Sequence, residues 1–350
     1  MVNKQATRQN NLIIGPNEQL PLFSSLLVNR GLELAVRVEK SRPLFFKDSK
    51  LEGAVRLAVG KMKGTLLPKM VSNLEALNAT RKEIQELAGI EQLHALEELY
   101  LMGNHIGEVS TLAQLKNLWE LNLSHNQLTE IGELSKLTNL RKLYLGRNQI
   151  TSLQPLAELQ NLQDLVLSYN QISDLDPLAD LTNLEELHLM GNQIKEIKAL
   201  AQLKKLRILS LSGNEVEDLG PLAGLTNLQK LWLGSNRIVN LSPLVRLRNL
   251  QTLYLGGNQI QNITFLERLN NLRELDLSDN GVTEIATISG LSNLQELRLS
   301  KNRISNITYL LKLPKLAIVE LSDNPYGFPG DPASVHTIEQ LIRRACLIKP

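Results

Sequence analysis

The sequence contains a single cysteine, few aromatic residues and no long apolar run. Cys346 is the only cysteine in 350 residues, so no disulfide can form within the chain, and a reducing compartment is expected because secreted proteins often use such bridges. No run of 18 apolar residues occurs, so we predict no transmembrane helix. The first eight residues lead into no apolar core of the signal-peptide type. These features predict a cytoplasmic protein that does not insert into membranes.

Neither positive nor negative charge is in large excess. The net charge is +2, from 38 basic and 36 acidic residues, which argues against a polyanionic partner. A nucleic-acid site needs a basic stripe threaded with aromatic residues, and acidic residues interrupt every candidate stripe in this sequence. We therefore predict no nucleic-acid partner.

Motifs for catalysis, metals or cofactors are lacking as well. Gly53 and the pair Gly60-Lys61 have the wrong spacing for a phosphate loop, and Met62 stands where serine or threonine is required. The five histidines are scattered, and no paired acid and base or nucleophile arrangement is found. We predict no catalytic residue, no metal and no cofactor, and hence a protein that is not an enzyme.

What the sequence does contain is a repeat of 22 residues that reads Leu-x-x-Leu-x-Leu-x-x-Asn-x-Ile-x-x-Leu-x-x-Leu-x-x-Leu-x-x. This period and pattern are typical of the leucine-rich repeat. A weaker first unit carries Lys82 in place of the asparagine, which gives about twelve units in residues 74–326. The asparagine ladder consists of Asn104, Asn126, Asn148, Asn170, Asn192, Asn214, Asn236, Asn258, Asn280, Asn302 and Asn324.

The pattern within each unit predicts the path of the chain. The Leu-x-Leu step has period two, so both leucines point to the same side of a short strand. The following apolar residues come at every third position, which suits 3₁₀ turns or extended backbone, and four prolines share one position of that segment (Pro155, Pro177, Pro221 and Pro243). We predict an α/β solenoid, a right-handed coil with a concave parallel β-sheet, a 3₁₀ or extended convex side and helical caps at both ends.

The ladder asparagines are predicted to be structural. Each side-chain amide offers two donors and an acceptor for backbone groups left unpaired where the strand turns away. Leaving such groups buried and unpaired costs about 1–3 kcal/mol each. We therefore expect Asn192→Leu to destabilise the protein more than Gln193→Ala.

The two ends of the chain differ from the repeat. Residues 1–43 are an extension of unknown role, with a predicted helix at 17–30 and a strand at 32–38. Residues 44–73 are predicted to form the N-terminal cap, with Ser49 and Glu52 as a capping box. Asp331-Pro332 is a helix-start signal within a C-terminal cap at 327–350. The apolar faces predicted to cover the core are Leu51, Ala54, Val55, Ala58 and Val59 in the first cap, and Val335, Ile338, Leu341, Ile342 and Ala345 in the second.

These repeats resemble the short leucine-rich repeats of the bacterial internalins and of the eukaryotic leucine-rich regulator of protein phosphatase 1. The leader from Phe45 to Arg56 also resembles the internalin N-terminal cap. The chain shows neither the export signal nor the wall-attachment segment of surface internalins, and its C-terminal cap differs from that of the phosphatase regulator. The resemblance implies a bacterial binding protein that holds another protein on its concave sheet.

The residue between the two core leucines of each strand is predicted to point out of the concave face. Four of the eight Trp and Tyr residues fall in this column, and exposed aromatic residues beside small ones are typical of binding hot spots. An alternative is that tyrosine here is ordinary repeat consensus and stabilises the sheet by cross-strand stacking. The predicted protein-binding residues are Tyr100, Tyr144, Val166, Tyr169, His188, Ile208, Trp232, Tyr254 and Arg298.

Three functional hypotheses follow. The first is an intracellular scaffold or regulatory subunit, monomeric by itself, that binds a partner protein. The second is a secreted internalin-like effector that binds a host protein and leaves the cell by a route that needs no cleaved signal. The third is an enzyme whose catalytic part lies in residues 1–43 or on a separate chain.

Overall fold

The structure is a computed structural model that describes residues 42–326 and 331–349. The helix and strand predicted for residues 17–38 therefore lie outside the described residues. None of the helices in the described ranges has the length and apolar character that crossing a bilayer requires.

One parallel sheet runs through the described chain. Thirteen strands pair in sequence order, so each strand between the first and the last pairs with the one before it and the one after it. Leu77 lies opposite Leu99, and the same offset of 22 residues recurs between β1 and β12. The strands are β1 (Ala76–Asn78), β2 (Glu98–Tyr100), β3 (Glu120–Asn122), β4 (Lys142–Tyr144), β5 (Asp164–Val166), β6 (Glu186–His188), β7 (Ile208–Ser210), β8 (Lys230–Trp232), β9 (Thr252–Tyr254), β10 (Glu274–Asp276), β11 (Glu296–Arg298), β12 (Ile318–Glu320) and β13 (Leu347–Lys349).

A 3₁₀ turn follows each of the strands β1–β11 on the opposite side of the coil. The four prolines that share one repeat position all lie within the first two residues of such a turn, where the fixed φ of proline suits the backbone. The predicted solenoid is confirmed. The turns are Ile90–Gln92, Ser110–Gln114, Gly132–Lys136, Gln154–Leu156, Asp176–Leu178, Lys198–Gln202, Gly220–Gly224, Ser242–Arg246, Thr264–Arg268, Ala286–Gly290 and Thr308–Lys312.

The core is a single continuous column of aliphatic side chains between the sheet and the turns. It extends from Phe46 to Cys346, and the repeat leucines in it are almost completely buried. Burying one such side chain contributes about 1.5–3 kcal/mol. Because one coil alone has nothing to bury its leucines against, each coil depends on its neighbours.

The N-terminal cap consists of α1 (Ser49–Ala58) and the single turn α2 (Pro68–Val71). The predicted capping box was wrong by one residue, because the carboxylate of Asp48 accepts from the backbone N–H groups of Lys50 and Leu51. Leu51, Ala54 and Val55 are buried as expected, but Ala58 is exposed because the helix ends there and its last turn leaves the core.

The C-terminal cap contains α3 (Pro332–Arg343), which Asp331 caps as predicted. The predicted apolar face was correct for Leu341 and Ile338, which pack against the core, and wrong for three residues, since Val335 is 55% and Ile342 60% exposed and Ala345 is also exposed. The buried residues of α3 are Ser334, Thr337 and Leu341. The hydroxyl of Thr337 donates to the carbonyl of Ala333, which removes the polar cost of burying it. The chain then adds β13, a strand that the repeat pattern did not predict.

Candidate functional site

The outward side of the sheet is formed by the first and third residues of each strand, and we call this surface the strand face. The middle residue of each strand β1–β12 is buried and points into the core, as Leu231 does between Lys230 and Trp232. Parallel pairing in register stacks equivalent residues about 4.8 Å apart along the sheet. Side chains on the strand face are therefore held on rigid backbone with known neighbours.

An aromatic cluster lies at the centre of the strand face. The rings of Trp232 and Tyr254 meet edge to face with centroids 6.4 Å apart, and the His188 ring lies 6.5 Å from Trp232. Trp232 and His188 lie on strands that are two apart, with Ser210 between them and only 7% exposed. The short serine side chain leaves space for both rings above it. We call His188, Trp232 and Tyr254 the aromatic cluster.

Arg298 joins this cluster to the carboxylates of the last strands. Its guanidinium lies 5.2 Å from the centroid of Tyr254, a cation–π distance. It also pairs with Glu296, and its Nε is 3.4 Å from Glu320. The Tyr254 hydroxyl donates to Glu274 at 2.9 Å. Burial and this bond to a carboxylate raise the pKa of Tyr254 above its ordinary value.

The predicted tyrosines in the first half of the face lie apart from the cluster. The Tyr100 hydroxyl donates to Glu98 at 2.9 Å, and Tyr144 faces the carboxylates of neighbouring strands. Burial together with the charges of Glu120, Asp164 and Glu186 raises the pKa of Tyr144 to about 12. Both tyrosines therefore keep their protons throughout the neutral range.

The other predicted residues fall in two places. Val166 lies directly opposite His188 on β6, and Ile208 lies opposite Lys230 on β8. Tyr169 is outside the strands, where its ring is 42% exposed and stacks 4.3 Å from the Arg147 guanidinium. Val166 and Ile208 thus continue the strand face, whereas Tyr169 belongs to a separate exposed site at its margin.

Gly191 supports the exposed position of Tyr169. Its φ is +67°, and a Cβ atom added there would lie 2.8 Å from Cδ1 of the Tyr169 ring. The Tyr169 hydroxyl also lies 3.5 Å from the sulfur of Met190. The equivalent positions of other coils carry Arg147 and Ser235 at similar positive φ, so the backbone angle alone does not require glycine; the close approach of the Tyr169 ring is what favours glycine at this position.

Burial sets the charge of His188. Desolvation lowers its pKa below 6.5, while the carboxylates of Glu186 and Asp164 act in the opposite direction. The Nε2 atom is 4.0 Å from Glu186. His188 is therefore neutral at pH 7, and its ring acts as a flat, largely apolar surface beside Trp232.

The ladder asparagines lie behind the strand face, at the turn that leaves each strand. Asn192 accepts from the N–H of Ile172 at 3.1 Å and donates to the carbonyls of Leu167 and Leu189 at 3.1 and 3.0 Å. All eleven make this set of three bonds, one of them within their own coil and two to the previous coil.

A second ladder of asparagines was missed by the sequence reasoning. Each donates through its amide to a backbone carbonyl of the preceding coil, as Asn249 does to Thr226 at 2.8 Å. The recurring Asn-Leu pair just before most strands was the available signal. The second ladder consists of Asn117, Asn139, Asn161, Asn183, Asn227, Asn249, Asn271 and Asn293.

Shallow depressions follow this second ladder along the edge where the strands begin. One of about 610 Å³ is lined by Trp119, Arg141 and neighbouring polar residues, and another of about 250 Å³ by Gln251, Arg273 and neighbouring polar residues. Trp119, which was not among the predicted binding residues, carries Lys142 Nζ 5.7 Å from its ring centroid. No member of the aromatic cluster lines either depression, so the cluster lies on open sheet.

Comparison with known proteins agrees with this architecture. The family model described as Leucine Rich repeats (2 copies) matches residues 116–158, 160–202, 204–246 and 248–293, which together are half of the chain. A search of curated protein sequences gave no match.

Several solved structures are similar to this chain. An internalin of Listeria monocytogenes, InlF, is 29% identical, with a TM-score of 0.76 over 87% of this chain and 97% of the internalin. Internalin C2 of the same organism is 33% identical, with a TM-score of 0.54 over 67% of this chain and 94% of the internalin. The leucine-rich repeat ectodomain of the Arabidopsis thaliana receptor kinase GASSHO1/SCHENGEN3, solved in complex with Casparian strip integrity factor 2, is 25% identical, with a TM-score of 0.66 over 74% of this chain and 34% of the receptor chain.

The repeat register, the 3₁₀ turns and these likenesses agree with one another. The chain belongs to the leucine-rich repeat family and is internalin-like.

Proposed function

We propose that the strand face docks another protein, and that the chain is a non-enzymatic interaction module. The aromatic cluster carries this proposal, because its rings are half-buried on rigid strands and keep one side open to solvent. Interaction hot spots are enriched in tryptophan, tyrosine and arginine, and all three types meet here. Leucine-rich repeat solenoids commonly present such extended surfaces to protein partners.

The anchors of the proposed surface are Tyr144, His188, Trp232 and Tyr254. Ile208, Tyr169 and Arg298 surround them, and Tyr100 and Val166 extend the surface toward the N-terminal cap. The plant receptor ectodomain of similar fold was solved in complex with Casparian strip integrity factor 2, which supports the view that a repeat array of this kind binds a partner. Large flat rings lose little conformational entropy on binding, which favours affinity.

We infer that the module works inside a bacterial cell as a scaffold or regulatory subunit. The bacterial origin rests on the Listeria internalins of similar structure, and the reducing setting rests on Cys346, which is the only cysteine and is buried. A secreted internalin-like effector is the second candidate, and the likeness to internalins favours it. Immunoblots of cytosol and culture supernatant distinguish the two, because the scaffold is expected only in the cytosol.

The test of docking is quantitative affinity capture from the native cell. The double variant Trp232→Ala, Tyr254→Ala is expected to retain less than about one tenth of the partner held by the wild type, since a hot-spot truncation costs about 2 kcal/mol or more. Tyr309→Ala serves as the matched control, because Tyr309 lies in a 3₁₀ turn on the opposite side of the coil. Equal yields from the double variant and the wild type, with both folded by circular dichroism, would refute docking on the strand face.

A further inference from the structure

Charge on the strand face differs from that of the whole chain, whose net charge is +2. The first and third residues of β1–β12 include eight acidic side chains and only three basic ones. The acidic residues are Glu98, Glu120, Asp164, Glu186, Glu274, Asp276, Glu296 and Glu320, and the basic residues are Lys142, Lys230 and Arg298. The acidic residues form two groups, on β2–β6 and on β10–β12, with the aromatic cluster between and beside them.

The group on β10–β12 has cations of its own. Arg298 pairs with Glu296, and its other nitrogens lie 3.4 Å from Glu320 and 4.0 Å from Asp276. Lys349 on β13 adds a bond of 3.0 Å to Glu320. Two cations thus neutralise part of the charge of the four carboxylates on β10–β12.

The group on β2–β6, which we call the acidic patch, has the same number of carboxylates but only one cation on its strands. Lys142 is the one basic side chain on these strands, and its Nζ lies 3.7 Å from Glu120. Asp164 lies in register beside Glu186, which places two acidic side chains on adjacent strands whose backbones are about 4.8 Å apart. Burial and the charge of Glu186 raise the pKa of Asp164 above its ordinary value, as expected where negative charges repel.

The strands next to the acidic patch are almost free of charge. Ile208 on β7, Trp232 on β8 and Tyr254 on β9 form an aromatic and aliphatic surface, with Ser210 and Thr252 buried between them and Lys230 exposed at its side. Along the sheet, the acidic patch spans about 19 Å from β2 to β6, and the apolar surface extends about 14 Å further, from β6 to β9. A single partner segment about 30 Å long can contact both surfaces.

We propose that the strand face takes a protein segment that carries lysine or arginine where it crosses β2–β6 and apolar side chains where it crosses β7–β9. This proposal rests on the proposed function, and it adds the chemistry of the partner. Cations of the partner would meet the surplus carboxylates in a partly buried setting, where attraction between charges is stronger than in water. Such complementarity fixes the direction of the segment and speeds association.

The test is selection from a displayed library of random peptides of about 20 residues, which are about 30 Å long even when helical. Peptides enriched on the wild type are expected to have Lys or Arg in one half and aromatic or aliphatic residues in the other. Their affinity is expected to fall as salt concentration rises, and to fall about tenfold in the triple variant Glu98→Gln, Asp164→Asn, Glu186→Gln.

A matched triple variant controls for the loss of three charges. Glu130→Gln, Glu158→Gln and Glu196→Gln change exposed carboxylates outside the strand face and are expected to leave peptide affinity unchanged. Circular dichroism and thermal midpoints of both triple variants check that the solenoid is intact. Equal effects of the two triple variants would overturn the proposal.

Other outcomes separate this proposal from the function on which it rests. Enriched peptides without basic residues that still lose binding to the Trp232→Ala, Tyr254→Ala variant would overturn the charge proposal and leave docking on the strand face standing. Enriched peptides that bind this variant as well as the wild type would contradict both. A library that yields no enriched peptide would also count against the proposal.

Discussion

At the residue scale, the ladder asparagines perform the same structural role at eleven positions, one in each of eleven coils. The amide of each ladder asparagine is oriented by one backbone N–H and two carbonyls, so its oxygen and nitrogen are not interchangeable. Leucine has a similar volume but no polar atom to replace these bonds. The cost of losing one asparagine is therefore set by unpaired backbone groups and not by lost packing.

Asn192→Leu is expected to lower the free energy of unfolding by about 2–4 kcal/mol, because two or three backbone groups lose their partner at about 1–3 kcal/mol each. Gln193→Ala is the control, since Gln193 is exposed on the adjacent position. Urea denaturation followed by circular dichroism measures both changes. Equal denaturation midpoints for the two variants would mean that water replaces the asparagine.

His188 is expected to titrate below its ordinary pKa of 6.5, because burial beside Trp232 disfavours the charged form. The unfolded chain then binds a proton more readily than the folded one, so the His188 contribution to stability is lost as the pH falls below about 6.5. NMR titration of the imidazole measures the pKa directly.

Two variants test the cause of this shift. Glu186→Gln should lower the pKa of His188 further, since it removes an attracting charge, and Trp232→Ala should raise it by admitting water. A titration midpoint at or above 6.5 in the wild type would contradict the assigned burial.

At the scale of elements, the caps determine how the repeat array begins and ends. Asp48 holds α1 through the N–H groups of Lys50 and Leu51, and it also accepts from Gln85 and Glu86 of the first coil. One carboxylate thus ties the cap helix to the repeats. Burial alone would raise the pKa of Asp48, but the four backbone N–H groups outweigh it and hold the pKa below 3.8.

Asp48→Ala is expected to destabilise the N-terminal end by about 1–2 kcal/mol, the usual cost of losing a helix cap. Because the folded pKa is lower than the unfolded one, the stabilisation by Asp48 is present above about pH 3.8 and is lost as the pH falls through the folded value. Hydrogen exchange of the α1 amides in the wild type and the variant measures the effect. Ser49→Ala is the control, since Ser49 is exposed and is not the capping residue.

At the scale of the whole molecule, each coil in the array contacts chiefly its two neighbours. The core and the sheet continue from one coil to the next without a break between Phe46 and Cys346. Stability in such an array is close to a sum of coil and interface contributions. The length of the array can therefore change by whole coils without changing the fold.

Deletion of residues 118–139 removes one complete coil with β3 and joins Asn117 to Leu140 in the repeat register. The shortened protein is expected to fold cooperatively, with a sheet about 4.8 Å shorter and with lower stability, because one interface between coils is lost. Small-angle scattering and urea denaturation measure the two changes. Deletion of residues 118–128 is the control, since it breaks the register and should disrupt the array; folding of both deletions alike would contradict the coil-by-coil account.

The sequence alone determined the solenoid, because a strict period of 22 residues leaves one way to bury every leucine. It also predicted which strand residues point outward, since side chains alternate along a strand. It did not reveal that Asp48 rather than Ser49 caps α1, that Thr337 is buried, or that β13 closes the sheet. These features depend on how the non-repeating segments pack against the first and last coils, and the repeat pattern carries no information on such contacts.

The arrangement of the strand face likewise needed the tertiary structure. Trp232 and Tyr254 were visible in one column of the sequence, but their edge-to-face contact and the approach of His188 over Ser210 depend on side-chain rotamers. The carboxylates around Arg298 have more cations near them than those of the acidic patch, and this difference depends on distances between side chains on different strands. The repeat determined the path of the backbone. The interactions among the charged and aromatic side chains were decided by the tertiary structure, which brings neighbouring coils to within 5 Å of each other.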